Sequence, residues 1–344
     1  MAKSITIQDV AREAGVSMMT VSRVVNNRGR VSQTTAQQIK EVIDRLGYRP
    51  SRIARSLVTN RTGTLGCIVP DVSNPFFSDL VKGVEQIAYA EGFNIFLCNS
   101  VEDPKREVAI LNMLRENRVD GVILCSTRMD EDTLQEILVS HPSVVLVNHR
   151  LKKQGNTLTI KTVMLDDEMG GRMATQHLID SGHRAIGFLM GPRASFSGQQ
   201  RMKGYYAAMK EAGLKVNPGW TLHCHPSVDG SLMVSRELFA KHPELTAVYC
   251  FNDLVAVGAL QAAASLGRSV PGDIAVVGTD DISLAALVTP SLSTVHASSY
   301  DLGLQAARLL IGQINGCDEG CDEVILPFKL VVRESAPARV SKDR

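Results

Sequence analysis

Two short amphipathic segments separated by a single glycine open the chain and constrain its fold most. The first runs from Ile7 to Ala14, Gly15 interrupts it, and Ser17 begins a second segment that continues to Asn26. Serine caps a helix well, because its hydroxyl accepts a hydrogen bond from a backbone N–H that has no partner within the helix. Two helices joined in this way are typical of domains that place the second helix in the major groove of DNA.

The second helix is predicted to present one face to the bases. Its valines point toward the other helices, and the 3.6-residue period leaves Met18, Met19, Ser22 and Arg23 on the opposite side. Arg23 can form two parallel hydrogen bonds to guanine, whereas the methionines offer only apolar contacts, for instance to thymine methyl groups. This face is the expected source of sequence recognition.

Polar residues near the helix starts suit phosphate oxygens, which fix the register on DNA without specifying sequence. A third helix of about residues 33–46 follows, capped by Ser32 and ended by Gly47, and its apolar side chains close a small core. The candidate DNA-binding residues of this kind are Thr6, Ser17, Thr20, Asn26 and Ser32.

The charge distribution favours a DNA-binding head over an ordinary three-helix domain, which could show the same spacings. Residues 1–62 contain eleven Lys and Arg against four Asp and Glu, whereas the rest of the chain contains 26 against 32. A basic head on a mildly acidic body is the electrostatic footprint of a nucleic-acid reader. No run of about 18 apolar residues and no secretory signal is present, so we expect a cytoplasmic protein without a membrane span.

The remaining 280 or so residues alternate short apolar runs with amphipathic helices, in two series. This pattern predicts parallel sheets covered on both faces, hence two doubly wound α/β subdomains with a cleft between them. Ligands in such folds bind beyond the carboxyl ends of the strands. That rule nominates residues 71–77 together with Ser126, Asn148, Arg193, Asn252 and Asp280, although loop positions are polar in many proteins anyway.

The head resembles that of the lactose-repressor (LacI/GalR) family of bacterial transcription factors. The resemblance rests on Thr6-Ile-Gln-Asp-Val-Ala, Gly15-Val-Ser, Thr20-Val-Ser-Arg-Val-Val-Asn and Leu46-Gly-Tyr-Arg-Pro, and it continues through the chain. It implies a body like the periplasmic sugar-binding proteins and a regulator that binds a pseudo-palindromic operator as a homodimer.

The resemblance also implies a role for residues 51–58, which are too short to fold alone and could otherwise be a plain basic tether. In the family this segment forms a hinge helix on the operator. Leu57 would then wedge between base pairs, Ala54 would let two hinge helices approach, and Arg52 and Arg55 would supply charge.

In the cleft, the resemblance implies that a small carbohydrate-related effector is held by Asn74, Phe76, Asn148, Arg201, Asn252 and Asp280. The strand-end rule adds Asp71, Phe77, Ser126 and Arg193 as candidate contacts. Two departures stand out: Asn148 replaces a usual Asp, and Ala297 replaces a usual Gln. They suggest an effector that is less hydroxyl-rich or anionic, such as a sugar acid or phosphate, which His149, Arg150 and Arg193 could serve.

The expected domains are a head (1–47), a hinge or linker (48–62) and a body (63–344), with a first subdomain of 63–165 and 297–322 and a second of 166–296 and 323–344. Neither an enzyme nor a cofactor is predicted. His223 and His225 lack further metal ligands at convincing spacing, Cys317 and Cys321 resemble no redox motif, and the cysteines in apolar runs are expected to be buried. Control by a phosphocarrier protein or by a corepressor stays an alternative, and a transport-type sugar-binding protein is the competitor from another class.

Overall fold

The computed structural model describes residues 5–25, 29–49, 61–151, 160–317 and 321–338. Its contacts divide the chain into two compact units, residues 1–62 and 63–344, here called the head and the body. Five candidate DNA-binding residues lie outside the described residues: Asn26, Arg52, Ala54, Arg55 and Leu57.

The head contains the three predicted helices, α1 (Ile7–Ala14), α2 (Met18–Val25) and α3 (Gln33–Leu46). Gly15 and Gly47 end α1 and α3 in the left-handed conformation that glycine adopts without strain. The helices enclose a small apolar core formed by Val10, Ala11, Ala14, Val21, Val24, Ile39 and Val42.

The body begins with five parallel strands and three helices. In chain order these are β1 (Thr64–Val69), α4 (Pro75–Ala90), β2 (Asn94–Asn99), α5 (Pro104–Glu116), β3 (Gly121–Cys125), α6 (Glu131–Leu138), β4 (Val144–Val147) and β5 (Lys161–Leu165). Strands β1, β3, β4 and β5 are almost wholly buried, because helices cover the sheet, and this explains their continuous apolar sequences.

A second series of the same kind follows. Its elements are α7 (Asp167–Asp180), β6 (Ile186–Met190), α8 (Phe196–Glu211), β7 (Thr221–His223), α9 (Val228–Lys241), β8 (Ala247–Cys250), α10 (Asp253–Ser265), β9 (Ala275–Asp280), α11 (Ser283–Leu287) and β10 (Ser293–Ala297). The chain then crosses back through α12 (Ser299–Asn315) and β11 (Glu323–Leu326) and ends with β12 (Phe328–Val331).

These strands form two six-stranded sheets, ordered β11-β5-β4-β3-β1-β2 and β12-β10-β9-β8-β6-β7, which define the first and second lobes. All described pairs are parallel except β10–β12. The predicted doubly wound architecture is therefore confirmed.

The boundary of the subdomains near the C-terminus differs from the expectation. The sequence placed residues 323–326 in the second subdomain, but β11 pairs with β5, with Glu323 opposite Thr162 and Leu326 opposite Leu165. Ala297, assigned to the first subdomain, is the last residue of β10 in the second sheet. The chain therefore changes lobes between β11 and β12, because β11 completes the edge of the first sheet.

Two glycines let α12 pack closely against α4 in the first lobe. A Cβ on Gly303 would overlap the carbonyl oxygen of Leu80, and one on Gly83 would overlap that of Tyr300. This close contact anchors the crossover helix to the first lobe.

We expect Gly303→Ala to lower the free energy of unfolding of the body by about 1–3 kcal/mol, because the added methyl group must push two helix backbones apart. Thermal and urea unfolding of the full chain measure the loss. Arg308→Ala, an exposed change on the same helix, is the control. Equal stability of the two variants would contradict the close packing.

Candidate ligand cavity and nucleic-acid interface

A cavity lies between the two lobes of the body, beyond the carboxyl ends of their strands. Nine of the ten predicted effector-binding residues line it, whereas Arg193 is exposed and is not among its lining residues. The lining consists of Asp71, Asn74, Phe76, Phe77, Glu102, Ser126, Arg128, Asn148, Ser195, Ser197, Arg201, Pro226, Phe251, Asn252 and Asp280.

Four of these residues have a backbone conformation that side chains rarely adopt. The φ angles are +58° at Glu102, +47° at Ser126, +52° at Asn148 and +110° at Asp280. Each residue lies at or just beyond the end of a strand. Backbone strain of this kind costs of order 1–3 kcal/mol of folding free energy per residue and clusters at binding sites. Its occurrence at four lining positions therefore supports a binding role for the cavity.

Three asparagine amides line the cavity in fixed orientations. In Asn74, Asn148 and Asn252 the side-chain Oδ1 accepts a hydrogen bond from a backbone N–H. The donors are Phe76 at 3.0 Å, Leu165 at 3.1 Å and Val255 at 2.9 Å. With the carbonyl oxygen engaged, each side chain has its amide nitrogen left to donate to the acceptor oxygens of a ligand.

Arg201 is the cation that the second lobe contributes to the cavity lining, and only 4% of its side chain is exposed. Its Nε donates to Asp167 Oδ1 at 2.7 Å, and its Nη2 lies 3.6 Å from Asp280 Oδ1. Nη1 donates to the Phe251 carbonyl oxygen, and the guanidinium lies 5.2 Å from the centre of that ring. Burial alone would lower the pKa of Arg201, but the two carboxylates outweigh it and raise the pKa, so the charge is fixed.

Asp280 shares this cation but is its more distant partner. Burial raises the pKa of Asp280 to about 7, and repulsion from Asp167 adds to the effect, although Arg201 opposes both. A carboxyl group that titrates near neutral pH can accept or donate a hydrogen bond to a ligand.

This shift predicts a pH-dependent difference between the protein and Asp280→Asn. The folded protein holds the Asp280 proton to a pH of about 7, whereas the unfolded chain loses it near 3.8. The wild type should therefore lose stability relative to the variant as pH rises between these values. Thermal unfolding of both proteins from pH 4 to 8 measures the difference, and a difference independent of pH would contradict the assignment.

An ion pair between Glu102 and Arg128 was not anticipated from the sequence. Arg128 Nε donates to Glu102 Oε2 at 2.5 Å, and both side chains are nearly buried. The buried carboxylate of Glu107 accepts hydrogen bonds from the Arg128 backbone N–H and the Thr127 hydroxyl. Burial raises the pKa of Glu107 in spite of these hydrogen bonds. The Glu107 carboxylate therefore fixes the backbone of Arg128, and with it the position of the Glu102–Arg128 ion pair.

The cations suggested for an anionic effector are not placed to serve one. Burial lowers the pKa of His149 to about 4, so this imidazole is neutral at pH 7. Arg150 pairs with Glu323 at 2.5 Å, and Arg193 is exposed away from the lining. The lining itself contains three carboxylates and two guanidiniums, and both guanidiniums are paired. This arrangement does not favour an anion.

The face of α2 predicted to meet DNA is open in the head. Met18 and Met19 are 51% and 64% exposed, and Arg23 Nη2 lies 3.6 Å from Met19 Sδ. The Ser17 hydroxyl accepts from the Thr20 backbone N–H at 3.1 Å and lies 2.9 Å from the Thr20 hydroxyl. Thr6 and Ser32 cap α1 and α3, and Ser22 is half-buried. On the predicted face of α2, the exposed side chains are thus Met18, Met19 and Arg23.

The two histidines set aside as a candidate metal pair lie beside other polar groups. His223 Nδ1 lies 2.8 Å from the Gly191 carbonyl oxygen, and His225 Nδ1 lies 3.2 Å from the Ser227 hydroxyl. Cys317 and Cys321 are exposed and free, and of the cysteines expected in the core Cys98 is only half-buried. Within the described ranges, no helix is long and apolar enough to cross a membrane.

Known proteins match the chain over both units. The family described as "Bacterial regulatory proteins, lacI family" matches residues 6–51, and "Periplasmic binding proteins and sugar binding domain of LacI family" matches residues 62–334. The HTH-type transcriptional repressor PurR of Haemophilus influenzae (strain PittEE) is 35% identical over 333 residues, covering 96% of this chain and 98% of that protein.

Two solved structures are similar over almost the whole chain. The lac repressor dimer bound to operator and the anti-inducer ONPF has a TM-score of 0.86 at 25% identity, covering 98% of this chain and 100% of that one. The transcriptional regulator CelR in complex with cellobiose has a TM-score of 0.73 at 32% identity, covering 96% and 99%.

Proposed function

Because the chain belongs to the LacI family of bacterial regulatory proteins and is a DNA-binding transcriptional regulator, we propose that a small neutral polyhydroxylated molecule in the cavity controls its repressor activity. The observation that carries this proposal is the set of three oriented amides around Arg201 and Asp280. Fixed donors and acceptors of this kind match the alternating donors and acceptors of sugar hydroxyls.

The aromatic side chains of the lining support the same ligand class. Phe76 and Phe77 form an edge-to-face pair with centroids 5.2 Å apart, and Phe251 lies beside Arg201. Their apolar rings suit the C–H faces of a sugar, while the amides suit its hydroxyls. The similar regulator CelR is described as a cellobiose complex, which agrees with this chemistry.

Charge argues for a neutral effector over a sugar acid or phosphate. A phosphate would have to approach Asp71, Glu102 and Asp280 while both lining arginines are already paired. The two guanidiniums are already offset by Glu102, Asp167 and Asp280, and Asp71 adds a further carboxylate, so the lining offers an anion no excess of positive charge.

Operator binding is proposed to need a homodimer. One head covers a single half-site, so two heads are required for a pseudo-palindrome. The lac repressor neighbour is described as a dimer on its operator, which supports the same assembly for this chain. Such a regulator acts on the chromosome, so we place it in the cytoplasm, associated with the nucleoid.

Control requires that the ligand and the operator each bind one arrangement of the lobes more tightly than the other. A ligand that favours the arrangement separating the two hinge segments is an inducer, and one that favours the close arrangement is a corepressor. From the family resemblance, we propose that the effector is an inducer. Control by a phosphocarrier protein remains the alternative, and the basic head argues against a transport protein.

A thermal-shift screen of the full chain tests the ligand class. Neutral sugars such as ribose and cellobiose should raise the melting temperature in a concentration-dependent way, because they bind the folded state, whereas sugar phosphates and sugar acids should not. Arg193→Ala, outside the cavity lining, should keep the response. A response to anionic sugars alone would contradict the proposal.

A further inference from the structure

A ring contact joins the two lobes at the edge of the cavity. His149 follows β4 in the first lobe, Phe196 begins α8 in the second, and their ring centroids are 5.5 Å apart at an interplanar angle of 61°. This edge-to-face geometry is the favourable one for aromatic pairs.

The two rings are adjacent in sequence to cavity-lining residues. Asn148 directly precedes His149, and Ser195 and Ser197 flank Phe196. Any separation of the lobes that breaks the ring contact must therefore move these lining groups apart. The contact belongs to the closed arrangement of the cavity.

His149 makes this contact at a cost. Its Nδ1 is buried and has no hydrogen-bond partner among the described residues. Burial lowers the pKa of His149 to about 4, nearby Arg128 lowers it further, and Glu131 opposes both. A buried polar atom without a partner costs free energy that hydration recovers once the lobes separate.

We propose that His149 and Phe196 form a latch between the lobes, in which the ring contact favours closure and the unpaired imidazole nitrogen limits it. His149 is thus a positioning residue that keeps the closed and open arrangements near balance. Its effect on regulation rests on the proposed function, whereas its effect on lobe closure does not.

Hydrogen–deuterium exchange of the ligand-free full chain tests the latch without knowledge of the effector. His149→Ala and Phe196→Ala should each speed exchange roughly fivefold in residues 146–151 of the first lobe and 193–199 of the second. The double variant should lose no more protection than either single one. Tyr206→Ala is the control, because Tyr206 is on the same helix as Phe196 but packs on Tyr205.

His149→Phe separates the ring contact from the unpaired nitrogen. It keeps a ring against Phe196 and removes the buried polar atom, so exchange in both segments should be slower than in the wild type. Acceleration confined to the substituted lobe would overturn the latch, as would additive losses in the double variant. Faster exchange in His149→Phe than in the wild type would overturn the role of the nitrogen.

Discussion

Arg201→Ala is expected to abolish the ligand response and to lower the free energy of unfolding of the body by about 3–5 kcal/mol. The substitution strands the buried carboxylate of Asp167, whose Oδ1 pairs with Arg201 and whose Oδ2 already has no partner among the described residues. It also removes the donors that hold the Phe251 carbonyl oxygen and approach Asp280. Sequence-specific DNA binding should persist, because the head is a separate unit.

Urea unfolding gives the stability of Arg201→Ala, and operator binding with and without sugar gives its response. Arg193→Ala is the matched control, because it removes an exposed arginine from the same stretch of the second lobe. A second variant, Arg201→Lys, keeps the positive charge and should recover part of the stability but little of the response, since one ammonium cannot reproduce the planar fork. A normal sugar response in Arg201→Ala would contradict its role.

Arg23→Ala is expected to weaken operator binding by a dimer roughly one hundredfold, through the loss of one base contact in each half-site. The neighbouring methionines cannot compensate, because they have no strong hydrogen-bonding group. The loss should be largest on the preferred sequence and small on random DNA. Fluorescence anisotropy at one fixed salt concentration measures both affinities.

Arg12→Ala is the control for Arg23, because Arg12 is an exposed arginine of the head that pairs with Asp9 on α1. It should change specific and non-specific affinity by similar, small factors. An Arg23→Ala protein that loses affinity equally for operator and random DNA would show that Arg23 contacts phosphates and not bases.

Local patterns in the sequence predicted the head and the lobes well. The bounds of α1 and α3 coincide with the predicted capping serine and terminal glycines, since these residues act on their immediate neighbours. The rule that ligands bind beyond strand ends, together with the family resemblance, placed nine lining residues in the cavity. Those residues follow apolar runs that predict strands, so their position at strand ends can be predicted from the sequence.

What the sequence did not predict depends on contacts between distant segments. Glu102 follows β2 and Arg128 follows β3, two strands that β1 separates in the sheet, yet the two side chains pair. The Glu107 carboxylate accepts a hydrogen bond from the Arg128 backbone N–H. Phe251, the residue after β8, also lines the cavity, and its ring lies 5.2 Å from the Arg201 guanidinium. The edge strand β11 alternates half-buried and exposed residues, so its apolar content did not identify which sheet it would join. The sequence indicated only that Asn148 replaces a usual Asp. It did not predict that Asn148 Oδ1 accepts a hydrogen bond from the Leu165 backbone N–H.

Operator binding by the full chain, measured with and without a neutral sugar, tests the central claim most directly. DNA that the protein selects from a random pool should contain a pseudo-palindromic site. A sugar identified by thermal shift should change the affinity of the protein for that site and leave its affinity for random DNA unchanged. Removal of residues 1–62 should abolish site binding and keep the thermal response to sugar, because the body is a separate unit. Absence of sequence-selective binding, or site binding that no cavity ligand alters, would contradict the account.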